Sequence, residues 1–132
     1  MEKVNSVSNG VWADNGTGPK PVNGGEWVSG ASLIPPSQSV PPAGETISTI
    51  DYDWSACTLN GWDDQVKVQL LLKSGSNTLT YDVSSSKQGT ANLASKGFPA
   101  NCTIYFQMKV GTIATELYEP PYITEDQVQV YY

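Results

Sequence analysis

An all-β fold, a two-layer antiparallel β-sandwich of about seven or eight strands, is what three features of this sequence predict. Apolar residues recur with period two in several runs, turn-forming dipeptides separate those runs at short intervals, and no stretch carries the periodicity of a substantial helix. Each run has one wet and one dry face, as two packed antiparallel layers require. At 132 residues the chain is a single domain by length, large enough to bury roughly two-thirds of the surface its unfolded form exposes.

Residues 1–34 form a Gly- and Asn-rich arm with weak strand patterns near 4–12 and 26–31, interrupted by Asn9-Gly10, Asn15-Gly16 and Asn23-Gly24-Gly25. Residues 35–44 carry Pro35-Pro36 and Pro41-Pro42, which lack amide donors and favour polyproline II, so this stretch reads as a stiff connector or a crossover between sheets. The main sandwich occupies residues 45–132. Ile50, Tyr52, Trp54 and Ala56 share one face against Thr49, Asp51, Asp53 and Ser55. Val66, Val68, Leu70 and Leu72 follow the same rule, as do Leu79, Tyr81 and Val83. Ile104, Phe106, Met108 and Val110 alternate with Thr103, Tyr105, Gln107 and Lys109, and Val128, Val130 and Tyr132 make a last strand. The best helical candidate is one turn around 91–95.

The two cysteines sit at the close of one strand pattern, Cys57, and the opening of another, Cys102. Strict alternation places Cys57 on the wet face, so a bulge near Ser55-Ala56, or an early strand end at Trp54, is needed to turn it inward. A disulfide between them is the expectation, closing a loop of about 46 residues and worth on the order of 4 kcal/mol. A Cys early and a Cys late among short strands resembles an immunoglobulin-like sandwich in architecture. The likeness is not one of motif, since Trp62 follows Cys57 too closely and Ala100 stands where a corner tyrosine would. The crosslink, with abundant Ser, Thr, Gly and Asn, implies a secreted protein. Because the N-terminal Met-Glu-Lys-Val-Asn lacks the apolar stretch of a signal peptide, a mature chain with its leader removed is the expectation.

Charge narrows the partners. Thirteen acids against seven lysines, with no Arg, leave a formal −6, which argues against nucleic acid and against an anionic membrane. No run is long and apolar enough for membrane insertion. The absence of His excludes an imidazole base, and Ser86-Lys87 and Ser95-Lys96 lie in polar sequence with no sign of the burial that lowers a lysine pKa.

Paired carboxylates are the remaining route to chemistry. Asp51 and Asp53 share a strand face with Cα atoms about 7 Å apart, suited to glycosidic acid–base work, to calcium, or simply to solubilising the face. The turn Asn60-Gly61-Trp62-Asp63-Asp64 places an indole among carboxylates and a carboxamide, a set that can stack on and hydrogen-bond a sugar, or hold calcium. Tyr105 is an outward aromatic that extends such a surface, and four Trp with seven Tyr exceed what a small core needs. Gly97-Phe98-Pro99-Ala100-Asn101 is a candidate inhibitory loop, and Asn15-Gly16-Thr17 and Asn101-Cys102-Thr103 match the glycosylation triplet.

The residues therefore lead to the expectation of a secreted, non-enzymatic binding module without a cofactor, holding a glycan or cell-surface protein through Asn60, Trp62, Asp63, Asp64 and Tyr105. The alternatives are a structural subunit of a fibre, coat or matrix, homo-oligomeric through its N-terminal arm, and an inhibitor or toxin-like protein.

Overall fold

Eight strands, β1 (Val11–Thr17), β2 (Val28–Ser29), β3 (Thr49–Thr58), β4 (Val66–Ser74), β5 (Asn77–Asp82), β6 (Gln88–Asn92), β7 (Thr103–Val110) and β8 (Tyr122–Tyr131), order the chain in the computed structural model, which describes residues 10–132. They pair into two antiparallel sheets, β1-β8-β3-β6 and β2-β7-β4-β5. Most of the strand pattern read near 4–12 lies outside the described residues. β8 runs between β1 and β3, whereas the last strand of an immunoglobulin constant-type sandwich runs in the opposite sheet, beside its predecessor. The Pro-rich segment is a crossover between sheets: it leaves Leu33, bridged to Ile104 of the second sheet, and enters β3 of the first.

The core is the sum of the inward alternation. Ile50, Tyr52, Trp54, Val128 and Val130 of the first sheet face Val68, Leu70, Leu72, Ile104, Phe106 and Met108 of the second, all buried. Two indoles tie the layers together. Trp12, on β1, donates its ring N–H to the carbonyl of Ala100 at 2.9 Å, just ahead of β7; Trp54, on β3, donates to Val83 at 3.1 Å, just past β5. β1 pairs with β8 of its own chain along its whole length, from Val11 opposite Tyr131 to Thr17 opposite Glu125.

The expected bulge is present and is matched by a second irregularity. Between Asp53 and Ala56, β3 contains one residue more than β8, and between Ala56 and Cys57 the excess passes to β8, so the register is restored at Cys57–Ile123. The side-chain phase flips with it: Ala56 turns outward and Cys57 packs half-buried against the core.

The disulfide is not formed; both cysteines are free. The reason is direction. Ile47 donates its backbone N–H to Phe98, and Thr46 bridges Pro99, so β3 and β7 start at the same end of the sandwich. Both run the same way, because β3 ends at the turn feeding β4, whose first residue, Val66, lies opposite Val110 at the end of β7. The close of β3 and the opening of β7 are therefore at opposite ends, roughly 25 Å apart at about 3.3 Å per residue. With the bond gone, the expectation of export keeps only composition behind it. Burial pushes the Cys102 thiol up to about 12, which keeps it protonated and unreactive.

Asp126 occupies an apolar position of the alternation on β8, beside the compensated bulges. It is 1% exposed, and neither carboxyl oxygen has a hydrogen-bond partner. Burial, aided by the charge of Glu125, pushes its pKa up to about 8. The native carboxyl therefore holds a proton that the unfolded chain releases near pH 4, and stability is full below that value and falls as pH rises toward 8.

Two outcomes are expected. Thermal unfolding followed across pH 4–9 should show a midpoint that declines to about pH 8 and then levels off. The loss should amount to a few kcal/mol, since each tenfold change in proton affinity is worth about 1.4 kcal/mol. Asp126→Asn should flatten that slope; wild-type and variant curves running parallel would contradict it. A thiol titration of denatured, non-reduced protein should find both cysteines reactive, and in the native state Cys57 should react ahead of Cys102.

Candidate functional site

The end of the sandwich where β3 and β7 finish is built from residues 18–27, 59–65 and 111–121. Asn60 and Gly61 both take positive φ, 52° and 86°, which the Asn-Gly pair allows at little strain. The chain then enters a single 3₁₀ turn, Asp63–Gln65, with Trp62 ahead of it. The Trp62 ring N–H donates to the carbonyls of Tyr118 at 3.2 Å and Glu119 at 3.1 Å, and the Asn60 carboxamide donates to Pro120 at 3.0 Å. These bonds hold the long 111–121 loop, whose one β-bridge is between Glu116 and Asn23, against the 59–65 turn.

A third segment packs on the same loop. Leu117 donates its backbone N–H to Val22, Gly24 to Thr115 and Gly25 to Val110. Gly24 permits this approach, since a Cβ there would stand 2.6 Å from the carbonyl oxygen of Ile113.

Between these loops and the ends of β4, β5 and β7 lies a cavity of ≈ 760 Å³, within the range that takes small ligands or an anchoring side chain. Trp62, Val66, Val110, Ile113 and Leu117 supply its apolar lining; Asp64, Lys67, Asp82 and Thr115 are among its polar neighbours. The three most exposed large apolar side chains belong to the loops that border it: Ile113, in the lining, is 73% exposed, Tyr118 81% and Val22 62%. Trp27 is partly exposed nearby, with the Lys109 ammonium 5.4 Å from its ring centroid.

The structure thus brings Trp62 and Asp64 to one cavity and leaves Asp63 on the solvent side of the turn. Trp62 is half-buried with its N–H engaged, and the Asn60 amide is engaged as well, so the turn is a brace for the loop rather than a free sugar platform. Tyr105 lies elsewhere, on the outer face of the second sheet, with Lys73 5.9 Å from its ring centroid. Sequence reading missed Ile113 and Leu117, because residues 111–121 carry no periodicity by which an apolar position declares its face.

The other candidates resolve into structure. Asp51 and Asp53 do share the outer face of the first sheet, in cross-strand rows Gln129–Asp51–Thr90 and Asn15–Gln127–Asp53–Gln88. Asp51 accepts from Thr90 at 2.7 Å. Burial pushes the Asp53 pKa up, but hydrogen bonds from Ser55, Gln88 and Gln127 outweigh it and hold the carboxyl below its usual range, so it is ionised at neutral pH and is no general acid. Among the described residues no group of three or more Cys, Asp and Glu is placed to hold a metal ion. Ser84 stands three residues before Lys87, a spacing found in serine–lysine enzymes, but its hydroxyl is tied to Val68 and Asp82, and Lys87 is exposed. The proposed inhibitory loop is bound in: Phe98 and Ala100 are buried, and Ala100 donates its N–H to Glu45.

No protein-family model matches the chain, and comparison with curated proteins finds no match. Among solved structures the chain is similar to one described as the crystal structure of FLHE, at a TM-score of 0.63 and 22% identity over 93% of this chain and 96% of that one. The likeness is one of fold: nearly the whole of each chain follows the same course.

Proposed function

We propose that the protein is a non-enzymatic binding module, and that its partner is a protein which seats an apolar side chain in the cavity beside Trp62. The observation that carries this reading is the coincidence of the cavity with Val22, Ile113 and Tyr118 at one end of a sandwich whose other apolar side chains are mostly in the core. A site that is apolar at its centre and polar at its margin is the ordinary anatomy of a protein-recognition surface.

Against the glycan reading, the donors of the Asn60–Asp64 turn are already bonded within the chain. Against assembly through an exchanged arm, β1 is fully paired at home. Catalysis has no support in the groups described above: Asp53 is held ionised by its hydrogen bonds, and the Ser84 hydroxyl is tied to Val68 and Asp82.

The test is a selection of random displayed peptides on the immobilised full chain, followed by affinity measurement on Ile113→Asp. Ile113 is 73% exposed, so the substitution leaves the core intact. Enriched peptides should share an apolar anchor and lose at least about tenfold in affinity on the variant, equivalent to about 1.4 kcal/mol. No enrichment, or equal affinity for the variant, would overturn the proposal.

A further inference from the structure

The outer face of the second sheet continues from the cavity. Its outward positions carry Lys67, Gln69, Leu71 and Lys73 on β4 and Thr103, Tyr105, Gln107 and Lys109 on β7. Three of the seven lysines of this acidic chain therefore share one face. Lys67 and Lys109 stand directly opposite one another in register. Like charges so placed destabilise a sheet unless an anion lies between or above them.

No carboxylate among the described residues stands within ion-pairing distance of either ammonium. The nearest acid by register, Asp82, is diagonal to Lys67 and is bonded to Ser84 instead. Lys109 rests over the Trp27 ring and Lys73 over Tyr105, contacts that fix the ammonium groups without neutralising them. The outer face of the first sheet has the opposite composition, with Asp51 and Asp53 in its cross-strand rows and no lysine there. The lysines of the two sheets thus lie on the second alone, with Asp82 of β5 as the acid that shares their face.

From this we infer that the partner segment is acidic: an extended stretch of protein that places carboxylates over Lys67 and Lys109 and drops one apolar side chain into the adjoining cavity, of which Lys67 is itself part of the lining. The inference rests on the reading of the cavity as a protein-binding site and adds the chemistry of what binds there. The formal −6 of the whole chain opposes the approach of an acidic segment, so its attraction is local, confined to the face where Lys67 and Lys109 stand side by side.

The experiment uses fluorescence anisotropy on the full chain with three labelled peptides of one pattern, a central Leu flanked by alternating Thr and either Glu, Gln or Lys. The Glu peptide should bind at least about tenfold more tightly than the Gln peptide at about 20 mM salt and lose most of that advantage near 200 mM. In Lys67→Glu/Lys109→Glu the preference should pass to the Lys peptide, and Lys67→Gln/Lys109→Gln should abolish it.

Equal affinity for all three peptides, still lost in Ile113→Asp, would overturn the acidic partner and leave the cavity reading standing. A Glu preference unaffected by Ile113→Asp would support the basic face and overturn the cavity as anchor. Failure of every peptide to bind at about 1 mM would overturn both. Sedimentation showing self-association that the double charge reversal abolishes would identify the occupant as a second copy and overturn a separate partner.

Discussion

Two indole N–H groups do the work that the cysteines were expected to do. Trp12 and Trp54 both belong to the first sheet, and each reaches a backbone carbonyl belonging to the second sheet's chain, at Ala100 and Val83. A buried N–H left without a partner costs on the order of 1–3 kcal/mol, so either bond is stringent about the spacing of the layers. The rings also fill the gap between sheets, which makes the same residues both filler and fastener. Everything else about the molecule, including the placing of its loops, presumes that the two layers keep this separation.

A third indole repeats the device at the margin. Trp62 grips the carbonyls of Tyr118 and Glu119, and through them a loop with no ladder of its own. That grip leaves Ile113 and Tyr118 outward while Leu117 closes part of the cavity lining. The surface is apolar where a loop is braced and charged where strands run on beside it, so one end of the second sheet presents both kinds of contact.

The strands were legible wherever burial and period two coincided: β3, β4, β5 and β7 could be read nearly to their ends, and the need for a bulge before Cys57 followed from its wrong phase. β6, Gln88–Asn92, escaped because only Ala91 faces the core, and a single small apolar residue makes no pattern. The start of β8 escaped because Asp126 occupies an inward position. The cysteine pairing failed for a different reason: alternation reports which face a residue takes but nothing about which way its strand runs. For the site, Trp62 and Asp64 were visible as a turn of suggestive composition, whereas the side chains that complete the cavity come from an aperiodic loop brought there by hydrogen bonds to backbone carbonyls, which no residue type advertises.

The paired irregularities of β3 and β8 bear on how the chain can change. Each strand holds one surplus residue, and the two surpluses cancel, so that Cys57 meets Ile123 in the same frame in which Asp53 met Gln127. Loss of Ser55 or Ala56 alone would still leave Cys57 facing the core, since both point outward, but it would take from β3 the surplus residue that offsets the one in β8 and leave a single uncompensated bulge. The register beyond the bulges thus depends on both surpluses at once, which ties two segments some seventy positions apart into one local deformation.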